Sequence, residues 1–167
     1  MDYEEKKFIN METRIGITEA DRKEVCRQLN HLLADEFILH TKTRKAHWNV
    51  EGPDFASAHS FFGGQYGELE EILDSVAERI RQLGHYAPAT LGEFLALARL
   101  TEKTSEKNNS QGFIKELLGD HESIIIFLRQ CVSAFADKHK DAGTSDFITG
   151  LMESHEKMAW MLRAHLH

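Results

Sequence analysis

The sequence predicts an all-α fold: four long helices in one bundle, with a short extra helix in a long crossover between the second and third. Three observations carry that prediction. The chain has only two prolines among 167 residues, which leaves long stretches free of helix breakers. Apolar residues recur at helical spacing through four segments. Between those segments lie Gly-, Pro- or polar-rich breaks at 49–53, 84–112 and 139–146. Four long helices with one long crossover form a recognised bundle topology. At this length one domain with a sizeable core is expected, residues 18–167, preceded by a tail at 1–17.

The tail lacks clean periodicity. It carries four acids (Asp2, Glu4, Glu5, Glu12) and three bases (Lys6, Lys7, Arg14), so it reads as a solvated or packed arm. The first helix opens at Thr18, an N-cap with Glu19 and Asp21 in the first turn. Val25, Leu29, Leu32, Leu33, Glu36 and His40 then follow helical spacing to about His47. Glu36 and His40 stand one turn apart and read as a histidine satisfied beside a carboxylate, with metal binding the alternative. Gly52 and Pro53 break the chain. The second helix starts at Phe55 and ends near Gly84. Residues 90–98, TLGEFLALA, give the short crossover helix, and 101–112 an exposed polar loop. The third helix spans about Gln111 to Lys138. Its Ile124-Ile125-Ile126-Phe127-Leu128 run is apolar most of the way round and predicts deep burial. The last helix follows Thr144 or Ser145 as cap and carries Phe147, Leu151, Met158, Trp160 and Met161.

The chemistry concentrates between His47 and Glu78. Asp74 and Glu78 are four apart and share a helix face, where like charges repel by a few tenths of a kcal/mol. Spacing alone fits a cation site and an exposed acidic face equally well, with Glu68, Glu70 and Glu71 close by. His59 and Asp74 are fifteen residues apart, about 22 Å along a straight helix. One chain cannot close them on one ion. An antiparallel copy related by a twofold axis can, and isologous interfaces of that kind are the commonest in homo-oligomers. Gly63, Gly64 and Gly67 cluster near the middle of this stretch, where close backbone approach across the twofold is the preferred reading over a local helix distortion. Trp48 reads as core, or as a residue that intercepts oxidising equivalents. The chain has neither ExxH nor HExxH, which argues against a di-iron site inside one bundle and against a zinc protease. Six further histidines (His85, His121, His139, His155, His165, His167) show no convergent spacing.

HWNVEG at 47–52, then Phe55, His59, Phe62, Tyr66, Asp74, AERI and the Leu83-Gly84 pair, resemble the Dps-type mini-ferritins (DNA protection during starvation). The terminal HEKMAWMLRAHL is similar to that family's last helix, so the resemblance spans roughly residues 18–167. It implies a ferritin-like bundle, a twelve-subunit hollow shell, and iron oxidised at dimer interfaces with hydrogen peroxide as the usual oxidant. By the same resemblance His47 joins the partner's aspartate and glutamate on a first iron, matching Asp74 and Glu78, and His59 serves a second. Zinc or manganese are alternatives for the same ligands. The family pattern has a carboxylate four residues after the second histidine, whereas this chain has Gly63, so the second position is expected to be weak. Asp141 and Asp146 fall where the family's acids line pores, with capping and turn roles as the alternative.

The formal charge of −7, multiplied in a shell, repels nucleic acid and attracts cations. The tail offers little net positive charge for phosphate neutralisation, so DNA binding is doubtful. No stretch approaches the length of a membrane span, and the first residues lack the apolar core of a secretion signal. Cys26 and Cys131 lie in helical patterns without metal or disulfide spacing. A cytoplasmic protein with reduced thiols is the economical expectation. The alternative function is a shell with an impaired ferroxidase centre that acts by iron storage or DNA sheathing.

Overall fold

The computed structural model describes residues 13–103 and 107–166; most of the tail predicted at 1–17 lies outside them. The helices are α1 (Glu19–Asn49), α2 (Phe55–Gln82), α3 (Leu91–Leu97), α4 (Ser110–Ser133) and α5 (Ala142–Ala164), with a π-helical segment at Ala134–Lys138. This is the predicted all-α, ferritin-like bundle, with α3 as the short helix in the crossover. The antiparallel pairs α1–α2 and α4–α5 pack together, and α1 also contacts α3 and α4. No helix among the described residues is long and apolar enough to cross a membrane.

The helix ends follow from local chemistry. Thr18 caps α1 by accepting the Asp21 N–H at 3.2 Å. Just past the other end, Gly52 has φ +129°, a conformation L side chains rarely adopt, and the chain reverses there. Thr90 and Glu93 close a capping box on α3. The cap of α5 is not Thr144 or Ser145 but Asp141, which accepts the Thr144 N–H at 2.9 Å. Thr144 is the third residue of the helix and supplies the donor instead. Asn109 caps α4, and Glu51 N–H donates to Asn108 C=O at 2.8 Å, pinning the end of the polar loop beside the α1–α2 turn.

Leu29, Leu39, Phe62, Leu69, Ile80, Ile114, Leu117, Ile124, Leu128 and Phe135 form the sealed core. Polar contacts of two buried side chains tie elements to it: Asp35 accepts from the Arg99 and Leu100 backbone N–H groups just past α3, and Lys42 pairs with Glu116 and Asp120 of α4. The Ile124–Leu128 run is buried on one face only. Ile124 and Leu128 are one turn apart and inward, while Ile126 points away and is 59% exposed. Cys26 and Cys131 are free and buried, and burial pushes their thiols up to about 12 and about 11.

Burial holds the imidazoles of His40, His85 and His121 below the ordinary histidine pKa of 6.5. The unfolded chain takes up protons at these positions near that value, while the folded chain stays neutral to lower pH. The unfolded state therefore binds more protons in this window, and stability falls as pH drops below about 6.5. Each histidine contributes a slope of up to ~1.4 kcal/mol per pH unit. Urea unfolding at pH 7.5 and 5.5 checks this: the midpoint should be lower at 5.5, and equal midpoints would contradict it.

Candidate metal centre

His47 lies in the last turns of α1 and His59 in the first turns of α2, so the 50–54 reversal brings the two together. Each ring donates its Nδ1–H to the other residue's carbonyl oxygen, both at 2.7 Å. A carbonyl only accepts, so in each neutral ring the proton sits on Nδ1 and the Nε2 lone pair is left for a metal. Metal-ligating histidines are ordinarily oriented by such a bond to the other nitrogen; here each residue orients the other. The rings stack with centroids 3.7 Å apart and planes at 25°. Tyr66 meets His47 edge-on at 5.2 Å, and Phe55 covers His59 at 5.2 Å. Arg44 lies over Tyr66 and over Trp48. Trp48 is 68% exposed and is not core.

Gly63 belongs to this arrangement. A Cβ there would sit 3.3 Å from both Cε1 and Nδ1 of His47, whereas at Gly64 and Gly67 it would meet nothing within 4 Å. The close approach that Gly63 permits is therefore to an imidazole of its own chain. Any side chain at 63, including a carboxylate, makes the His47 ring shift by a few tenths of an ångström. Gly64→Ala gives a clean contrast. If that face stays open in the assembly, helix propensity raises stability by ~1 kcal/mol in a urea titration. Loss of self-association on a sizing column would instead show that the backbone of a neighbouring subunit comes close there.

Asp74 and Glu78 are exposed on α2, one turn apart, and the chain does not bring them to the histidines. Among the described residues no three His, Cys, Asp or Glu side chains converge on a single metal position. Asp146 is exposed near the start of α5, but Asp141 is buried as the α5 cap, 3.3 Å from the Arg79 guanidinium.

One polar cluster escaped the reading by spacing. Glu36 is not satisfied by His40; it lies in the bundle core with its Oε1 2.8 Å from Nε2 of His155. His155 in turn meets His121, Nδ1 to Nδ1, at 3.0 Å. All three are fully buried.

Comparison with known proteins fits this frame. The family model described as a ferritin-like domain matches residues 26–167. A low temperature-induced protein of Nostoc, uncharacterized, is 43% identical over 91% of this chain and 85% of its own. The DNA protection during starvation protein of Helicobacter pylori is 36% identical over 83% of this chain and 95% of its own. Among solved structures, the Dps protein of Vibrio cholerae superposes with a TM-score of 0.87 at 27% identity, covering 94% of this chain and 98% of that one. That Vibrio protein is a member of a broad superfamily of ferritin-like diiron-carboxylate proteins. Dps from Thermosynechococcus elongatus gives 0.83 at 28% identity, over 89% and 93%. The chain belongs to the ferritin-like family, as a Dps-type mini-ferritin. Iron storage with ferroxidase-type chemistry is the general function of that family.

Proposed function

We propose that this chain assembles into a hollow homo-oligomer, a dodecamer, which binds Fe²⁺ between twofold-related subunits, oxidises it and stores the ferric product in the cytoplasm. One observation carries the reading. His47 and His59 are fixed with both Nε2 lone pairs available at one end of α2, and the exposed Asp74–Glu78 pair stands at the other. An antiparallel partner helix completes an imidazole–carboxylate site, a donor set suited to ferrous iron.

His47 with the partner's aspartate and glutamate forms the tight position. His59 forms a weaker one, because Gly63 supplies no carboxylate. Iron enters as substrate. Each Fe²⁺ gives up one electron, and a peroxide that accepts two electrons and two protons leaves as two waters. The carboxylates neutralise the ferric charge as it develops, and the histidine pair keeps its lone pairs in place through the mutual hydrogen bonds. Asp146 is the remaining exposed candidate for an entry pore near the start of α5.

Anaerobic Fe²⁺ titration followed by peroxide or oxygen tests the proposal. The expected result is one tight ion per chain, oxidised faster by peroxide than by oxygen. Binding no tighter than that of an Asp74→Ala, Glu78→Ala variant would overturn it. Gly63 motivates a second reading, storage with an impaired oxidation centre, which one ion per chain with slow turnover under both oxidants would favour. Zinc or manganese in the same ligands would appear in metal analysis of protein purified without chelator. DNA sheathing is disfavoured by the net charge, and absence of a gel shift at low salt would remove it.

A further inference from the structure

A guanidinium stands beside the histidine pair. Arg44 is exposed on α1, one turn before His47. Its guanidinium carbon lies 5.3 Å from the Trp48 ring centre and 5.5 Å from that of Tyr66. Tyr66 in turn meets His47 edge-on at 5.2 Å. Trp48 follows Arg44 by one helical turn and shares its face, so the chain itself sets this cation over two ring faces, which hold it by attraction to their π-systems. Among the described residues no carboxylate pairs with Arg44, and its charge is not cancelled at close range. Its field reaches the seam between α1 and α2. After burial, Arg44 is the next cause that holds His40 below the ordinary histidine pKa, against the opposing pull of Glu70. A fixed positive charge works against a cation site, unless the site has to let its ion go.

We propose that Arg44 is a charge-discriminating residue of the iron site, which promotes release of the oxidised ion over the ferrous one. The inference rests on the reading that His47 binds iron together with the partner's aspartate and glutamate. With a neutral imidazole and two carboxylates, that site carries two negative charges when empty, none with Fe²⁺ and one positive charge with Fe³⁺. Arg44 therefore stabilises the empty site, is nearly indifferent to the ferrous one and repels the ferric one. Loss of one electron from the iron switches the repulsion on. The ring contacts put the guanidinium within about 11 Å of the His47 ring, where Coulomb's law in a water-like dielectric gives about 4-fold weaker binding of a dication and a further ~2-fold for a trication. Exclusion of water by the partner subunit raises both figures, and salt lowers them. A ferric ion that stays bound blocks the next Fe²⁺, so a site that feeds a store gains turnover from such a charge.

The test compares the full chain with Arg44→Gln, which removes the charge, and Arg44→Lys, which keeps it. Anaerobic Fe²⁺ titration gives affinity, peroxide-driven oxidation gives kcat and KM, and a ferric chelator added after one turnover reads how fast Fe³⁺ leaves. Arg44→Gln should bind Fe²⁺ at least ~3-fold tighter at low salt and release Fe³⁺ at least ~2-fold more slowly. KM and kcat then fall together, while oxidation of the first ion is unchanged. Arg44→Lys should restore the parent values, and the gap between Arg44→Gln and the parent should shrink at high salt. Weaker Fe²⁺ binding by Arg44→Gln would overturn the proposal, because Arg44 would then serve only to hold Tyr66 against His47. So would unchanged affinity and release, or a lysine variant no different from the glutamine one. The Asp74→Ala, Glu78→Ala chain, run beside them, separates the two readings. If it binds Fe²⁺ as tightly as the parent, the interface site itself is wrong; if it loses binding while Arg44→Gln changes nothing, the charge role alone is rejected.

Discussion

Replacing Asp74 and Glu78 together with alanine should slow Fe²⁺ oxidation at least ~100-fold, the upper end of what loss of a mere supporting residue costs a metal site. Stability should not fall. Both side chains are exposed, the pair repels itself across one helical turn, and alanine is the better helix former. The double variant is thus an unusually clean probe, because lost activity cannot be attributed to lost fold. It also tests where the ligands come from. Alone, a His47→Ala, His59→Ala chain and the Asp74→Ala, Glu78→Ala chain should both be inactive. Unfolded together and reassembled, they should regain about a quarter of the sites, since half of the random dimers are mixed and each mixed twofold dimer rebuilds one site of two. Iron-oxidation rates on the reassembled mixture measure this. Failure to recover activity would mean that the histidines and carboxylates do not act across a twofold.

The sequence made the helix boundaries legible because local signals set them. Thr18 accepts the bond its position predicts, Gly52 sits where only glycine turns the chain easily, and Thr90 with Glu93 closes a box. Where two signals competed, the sequence was ambiguous. Asp141, Thr144 and Ser145 can all cap, and only the backbone path shows that Asp141 accepts while Thr144 donates. The side-chain burial of Ile126, Trp48 and Trp160 was unreadable for a different reason. Apolar character fixes preference for a nonaqueous neighbour, not whether that neighbour lies in the same chain, and all three are more than half exposed here.

The polar residues singled out above divide along the same line. His47 and His59 stand twelve residues apart around one reversal, so their proximity follows from the turn, although the mutual Nδ1–carbonyl bonds do not. Gly63 reads from sequence as a missing carboxylate, whereas the fold shows it also as the space beside the His47 ring. Glu36, His121 and His155 come from three helices, separated by 34 residues at least. No period or short motif encodes such a meeting. The packing of α1 against α4, and of α4 against α5, brings it about.

That meeting has a large expected consequence for stability. Removing His155 alone, as His155→Leu, leaves the Glu36 carboxylate in the core without its neighbour. Breaking a buried pair from one side costs about 3–5 kcal/mol. For a chain of this size, that is a fall of roughly 6–20 °C in thermal midpoint. Replacing all three residues with leucine removes the uncompensated charge as well as the pair, and a well-packed apolar replacement of a buried ionic group is often neutral or stabilising. The triple variant should therefore melt near or above the parent and well above the single variant. Melts followed by circular dichroism at matched protein concentration keep the contribution of assembly constant. A single variant as stable as the parent would mean that Glu36 reaches solvent or a proton in the folded chain. A triple variant as unstable as the single one would mean that the cluster holds α1, α4 and α5 in register through its shape. The two variants thus separate electrostatic compensation from packing, and the polar interior is attributed to compensation because His155 stands between the Glu36 carboxylate, 2.8 Å away, and His121, 3.0 Å away.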